Sequence, residues 1–185
     1  MKPGMTGRLV AVVGPSGAGK DTLMAGLVAR RPDLVLARRA ITRPAGSGGE
    51  DHEALTEDQF ADRVAQGAFL FHYRAHGLAY GIPRTVLEDV AAGRTVLFNG
   101  SRAALPAARA ACPAVEVVMV TAPAPVLAAR LAARGREDAA EIAARLARGG
   151  ALSVPEGARV VVNDGTVAQG IDRLEAALNL AAAGA

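Results

Sequence analysis

Along this 185-residue chain, short and mostly apolar runs alternate with longer stretches in which apolar side chains recur every three or four positions. The runs are Leu9 to Val13, Leu34 to Leu36, Ala68 to Tyr73, Thr95 to Phe98, Val115 to Val120 and Val160 to Val162. Several are too short for a helix and rich in β-branched residues, so they read as strands covered on both faces. Between them, helical patterns run over Lys20 to Arg30, Thr56 to Gln66, Pro83 to Ala92, Arg102 to Ala111, Ala122 to Ala133 and Ala139 to Arg148, with a last helix after Thr166. This alternation predicts an α/β fold in three layers, a parallel sheet with helices on both faces.

Local signals sharpen the boundaries. Thr56 with Gln59, and Thr166 with Gln169, have the spacing of capping boxes. Pro83 suits the first turn of its helix. His76 to Gly81 reads as a turn between two extended pieces, and Ala45 to Glu53, glycine-rich and polar after Pro44, reads as a mobile loop. With no repeat and no linker, residues 1–185 are expected to form a single domain.

Chemistry enters at Gly14-Pro15-Ser16-Gly17-Ala18-Gly19-Lys20-Asp21-Thr22. A strand, a glycine-rich turn, a lysine and a helix in that order make a phosphate-binding loop. The glycines let successive N–H groups converge on phosphate oxygens, the helix N-terminus adds its positive end, and Lys20 brings a mobile full charge. The residue after such a lysine is usually Ser or Thr, whose hydroxyl binds Mg²⁺; here it is Asp21, with Thr22 following. Asp21 is therefore either a metal ligand, direct or through water, or a helix-start residue turned toward the dipole. The motif implies a nucleoside triphosphate site with ATP and Mg²⁺.

Composition narrows the partners. The net charge of +3 and the pI near 9.6 would suit nucleic acid, but aromatic residues make up only 3% of the chain and no basic run exceeds two residues, which argues against it. The cations are nearly all arginine, suited to bidentate recognition of small phosphorylated ligands. With no apolar segment near membrane-spanning length and no signal-peptide core, no membrane partner and a cytoplasmic location are expected. One cysteine, Cys112, excludes an internal disulfide. The oligomeric state is left open.

Taken together, Gly14 to Lys20, Thr42-Arg43-Pro44, Gly77 to Gly81, Arg130-Leu131, Arg134-Gly135 with Glu137, Arg145-Leu146 and Asn163-Asp164 resemble the guanylate kinase-like branch of the P-loop nucleoside monophosphate kinase family. The resemblance covers nearly the whole chain. It implies a P-loop NTPase core, an acceptor-binding insertion over about 42–81 and a short arginine lid over about 133–140. It also implies that Lys20, Arg130, Arg134 and Arg145 serve the transferred phosphoryl group, and that Asn163 contacts the nucleotide base. An ordinary Asn-Asp turn capping the last helix is the other reading of Asn163.

The departures bear on the acceptor. Phe71 stands where the family places an acidic residue that reads guanine, and Asn99-Gly100-Ser101 replaces an Asp-x-Asp arrangement. Phosphate-reading residues remain while base-reading ones do not, which implies a phosphorylated small molecule without a purine. The likeness, including Gly19-Lys20-Asp21, points to a phosphorylated ribose. Arg39, Arg43 and Tyr80 carry over to its phosphate, and His72 and His76, beside the expected acceptor pocket, are candidate donors to its sugar hydroxyls or phosphate; the other reading of Arg39 and Arg43 is a structural pairing with Glu50 or Asp51. The alternatives are guanylate kinase or another nucleotide kinase, and a non-catalytic interaction module of the same fold.

Overall fold

The computed structural model describes residues 7–44, 46, 50–133, 135, 140–144 and 153–180. The strands among the described residues are β1 (Arg8–Val13), β2 (Leu34–Leu36), β3 (Ala40–Ile41), β4 (Glu53–Ala54), β5 (Phe69–Ala75), β6 (Leu78–Pro83), β7 (Thr95–Asn99), β8 (Glu116–Thr121) and β9 (Arg159–Val162). The helices with described bounds are α1 (Lys20–Arg30), α2 (Glu57–Ala65), α3 (Val86–Ala91), α4 (Leu105–Ala111), α5 (Ala124–Ala133) and α6 (Val167–Ala177). No helix among the described residues is long and apolar enough to cross a membrane.

The chain divides into two compact units, one of residues 1–11 and 31–116, the other of residues 12–30 and 117–185. In the first unit the strand order is β2-β7-β1, with β2 and β7 parallel. A separate four-stranded sheet, in the order β4-β3-β6-β5, follows from the β5–β6 hairpin. Alternation along β5 buries Phe69, Phe71 and Tyr73 and exposes His72 and Arg74. The hairpin turn is only His76-Gly77, both at positive φ, 52° and 74°. Two such residues match the strand twist, so Leu78 to Gly81 continues as strand where a longer turn is expected from sequence.

Three further boundaries differ from the pattern reading. Pro83 closes β6 opposite Phe69, at a strand end where its missing N–H costs nothing, and α3 starts only at Val86. The helix expected from Arg102 begins as a 3₁₀ turn at Arg102–Ala104 before α4. The last residue of the polar loop, Glu53, is already in a strand with Ala54, pairing in parallel with β3. Both capping boxes form as expected: the Thr56 and Thr166 hydroxyls accept from the N–H groups of Gln59 and Gln169, whose side chains return to the cap N–H groups.

In the second unit the strand order is β1-β8-β9, with β8 and β9 parallel. Helix α1 packs on α6: a Cβ on Gly26 would meet Ile171 Cδ1 at 2.4 Å, so a larger residue there would make the end of the Ile171 side chain move. Arg30 reinforces the contact from outside, donating to Asp172 at 2.6 Å and Glu175 at 3.2 Å.

Candidate active site

The phosphate loop lies in the second unit between β1 and α1. A Cβ on Gly14 would stand 1.9 Å from the Val120 carbonyl, so the turn out of β1 can pass β8 only as glycine. Gly17 and Gly19 take φ of 86° and 91°, in the region that side chains disfavour. Lys20 opens α1, and its ammonium donates to the carbonyls of Gly14 at 2.9 Å and Pro15 at 3.1 Å, which pins it across the loop. Asp21 follows in the first turn and Thr22 is exposed beside it.

Two more of the expected residues converge on this loop. Arg130, in the last turn of α5, reaches the Ala18 carbonyl with Nη1 at 3.5 Å. Asn163, just after β9, is 4% exposed, and its Nδ2 donates to the same carbonyl at 2.8 Å. Its neighbour Asp164 turns to Arg173, whose Nη1 donates to its carboxylate at 2.5 Å and holds that carboxyl below its ordinary range. Arg134 and Arg145 lie outside the described residues.

The expected acceptor residues lie in the first unit. Arg39, just before β3, is buried and has all its donor edges engaged. Nε donates to Glu50 Oε1 at 2.7 Å, Nη2 donates to the other Glu50 oxygen, and Nη1 donates to the Tyr73 hydroxyl at 2.7 Å. The guanidinium carbon stands 4.9 Å from the Tyr80 ring centroid, and Tyr80 is stacked on Tyr73 with centroids 5.0 Å apart. Burial works against the Arg39 charge, yet the ion pair with Glu50 outweighs it and the guanidinium is held above its usual range. Burial pushes the Tyr73 phenol up.

Arg43 lies two residues beyond β3. Its Nε is buried without a hydrogen-bond partner among the described residues, and its carbonyl is 3.2 Å from His52 Nε2. His52, itself buried, has Nδ1 3.0 Å from the Glu50 carbonyl, so one imidazole spans the segment that carries both charged residues. The structure does not bring His72 and His76 to this cluster. His72 points to the opposite face of β5 from Tyr73, with its ring edge-on to Phe60 at 6.1 Å, and His76 forms the hairpin turn.

His52 and Tyr73 are the members that the residue patterns leave out, while Glu50 is one of the two carboxylates expected as structural partners of Arg39 and Arg43, and it pairs with Arg39. A signal for Tyr73 exists: alternation puts it on the inward face of β5, and a buried phenol calls for a polar partner. His52 has no comparable signal, because its partners come from across a loop. Phe71 is 6% exposed and packs edge-on against Phe98 with centroids 5.6 Å apart. Its position is part of the core.

A strand, a phosphate loop with a lysine at the head of α1, and a separate basic and aromatic cluster define a P-loop kinase. Comparison with known proteins agrees. The AAA domain family matches residues 9–151. A guanylate kinase from Anaplasma phagocytophilum superposes with a TM-score of 0.69 over 95% of this chain and 86% of its own, at 19% identity, which shows the shared fold. A Ruegeria protein named ribose 1,5-bisphosphate phosphokinase is 51% identical over 84% of this chain and 81% of its own. An Azorhizobium caulinodans protein named bifunctional ribose 1,5-bisphosphokinase-thymidine phosphorylase is 53% identical over 94% of this chain. The chain spans 26% to 43% of the length of four curated relatives that it matches, the Azorhizobium protein among them. It belongs to the ribose 1,5-bisphosphate phosphokinase family.

Proposed function

We propose that the chain transfers the γ-phosphoryl group of ATP to the 1-phosphate of ribose 1,5-bisphosphate, giving 5-phospho-α-D-ribose 1-diphosphate and ADP. An oxygen of the acceptor phosphate attacks the γ-phosphorus, and the bond from that phosphorus to the β–γ bridging oxygen breaks. The attacking oxygen is already ionised near neutral pH, so the step needs no strong general base. Catalysis then rests on positioning and on neutralising charge at the transferred group. Lys20 and the loop N–H groups hold the β- and γ-phosphates, and Arg130, with Arg134 and Arg145, supplies further positive charge to the phosphoryl oxygens.

Mg²⁺ fits this loop. That ion usually takes one or two carboxylates together with substrate phosphates, and Asp21 and Thr22 at the start of α1 are the residues that would hold it. Among the described residues no group of three or more His, Cys, Asp or Glu forms a cage for a metal. When bound, the ion would neutralise charge on the β- and γ-oxygens.

The observation that carries the acceptor assignment is Phe71. A ring packed on Phe98 offers a base no hydrogen-bond acceptor, while Arg43, whose Nε has no partner among the described residues, keeps a donor for a phosphate beside the Arg39–Tyr80 pair, where Glu50 and Tyr73 already occupy the Arg39 nitrogens. Family membership points the same way. The test is phosphorus NMR of purified protein with ATP and Mg²⁺, supplied separately with ribose 1,5-bisphosphate and with GMP. A new sugar diphosphate with GMP untouched is expected. Turnover of GMP alone would replace this reading with a nucleotide kinase.

A further inference from the structure

Asn163 departs from the role its sequence position implies. A residue that reads the nucleotide base must present its carboxamide to a ligand, and here neither end is presented. Nδ2 is spent on the Ala18 carbonyl at 2.8 Å, inside the phosphate loop. Oδ1 is buried and has no hydrogen-bond partner among the described residues. The orientation is settled by chemistry, because the flipped amide would set oxygen against the Ala18 carbonyl oxygen.

Two glycines shape the space around this amide. A Cβ on Gly19 would lie 2.6 Å from Nδ2, and one on Gly170 of α6 would lie 2.6 Å from Oδ1. The residue is also fixed through its backbone, where its N–H donates to the Thr121 carbonyl at 2.7 Å. Asn163 is thus anchored to the end of β8 and reaches into the loop between Ala18 and Gly19. A carbonyl drawn toward Asn163 turns the Ala18–Gly19 peptide, and the Gly19 N–H belongs to that same peptide unit. The amide therefore controls which way one of the loop's donors faces.

We infer that Asn163 is a positioning residue for the phosphate loop, setting the Ala18–Gly19 peptide for triphosphate binding and making no contact with the base. The inference rests on the reading of Gly14 to Thr22 as the triphosphate site, and it deepens that reading. It predicts that Asn163 governs affinity for the phosphate chain whatever is attached to it.

The experiment measures binding of Mg²⁺-ATP and of Mg²⁺-tripolyphosphate by calorimetry for the parent protein, Asn163→Asp and Asn163→Ala, with Lys20→Ala as a control. Losing the donor leaves the Ala18 carbonyl with only the long 3.5 Å contact from Arg130 Nη1, so both ligands should weaken by the same factor, on the order of 10-fold or more. ATP weakened with tripolyphosphate unchanged would overturn the inference and return Asn163 to base recognition. Unchanged binding of both ligands would overturn it as well. Asn163→Ala introduces no charge and carries the test if Asn163→Asp does not fold, as judged by circular dichroism. If Lys20→Ala leaves tripolyphosphate binding intact, it is the loop assignment that fails, a result distinct from failure of the Asn163 role.

Discussion

Glu50 closes both oxygens of its carboxylate on the guanidinium of Arg39, with the two side chains only 14% and 7% exposed. Such a pair gains little over apolar packing, but removing one member strands the other charge in a poorly hydrated site. Glu50→Gln should therefore lower the free energy of unfolding by about 3 to 5 kcal/mol. Urea denaturation followed by far-ultraviolet circular dichroism checks this. A loss below about 1 kcal/mol, the range of exposed pairs, would mean that Arg39 is hydrated or finds another anion.

The same cluster has a signature in alkali. Burial raises the Tyr73 phenol above its ordinary value of 10.0, so the folded state holds that proton more tightly than the unfolded chain does. Stability from this source is fully present below pH 10. It is lost as pH rises through the folded-state value. Tyr73→Phe removes the titration together with the hydrogen bond from Arg39. Thermal melts between pH 8 and pH 11 should show the parent losing stability more steeply above about pH 10 than the variant. Parallel curves would place the phenolate in water.

The contrast between the two units shows what sequence can carry. The phosphate loop was legible because its chemistry is local: strand, glycines, lysine and helix adjoin in the chain, and Gly14 and Gly19 are glycines for reasons visible within the second unit. The capping boxes at Thr56 and Thr166 were legible for the same reason. Pairings across loops were not. Opposite charge offers Glu50 or Asp51 to Arg39 or Arg43 without choosing among them, and the structure pairs Glu50 with Arg39; nothing in the polar stretch announces the buried His52. Nor does composition reveal that Glu53–Ala54 pairs with β3, because a two-residue strand has no periodicity. Asn163 is the opposite case, where a motif suggests base contact and the partner is the Ala18 carbonyl, 145 residues away in sequence.

Restoring an acidic residue at position 71 should not restore guanine recognition. The Phe71 ring is buried against Phe98 on the inward face of β5, so a carboxylate placed there would lose hydration against an aromatic ring. Phe71→Glu should cost about 3 kcal/mol or more through lost packing and the burial of a polar group. GMP turnover should stay at background. Melting temperature and a coupled ADP-release assay test the two halves separately, and a stable variant with new GMP activity would show that position 71 faces a ligand.

Lys20 is the sharpest test of the phosphate site. Its ammonium spans to the carbonyls of Gly14 and Pro15, contacts that fix the side chain within the loop and that any triphosphate would share. Loss of one preorganised charge at the reacting phosphoryl group costs roughly 100-fold or more in turnover. Lys20→Ala should show that loss with little change in melting temperature, because the side chain is only half-buried and lies outside the core. Lys20→Arg should recover little activity, since a planar fork cannot occupy the place of a compact ammonium between two carbonyls. Steady-state assay of ADP release for the three proteins checks both statements. Near-parent turnover in Lys20→Ala would remove the loop from the chemistry.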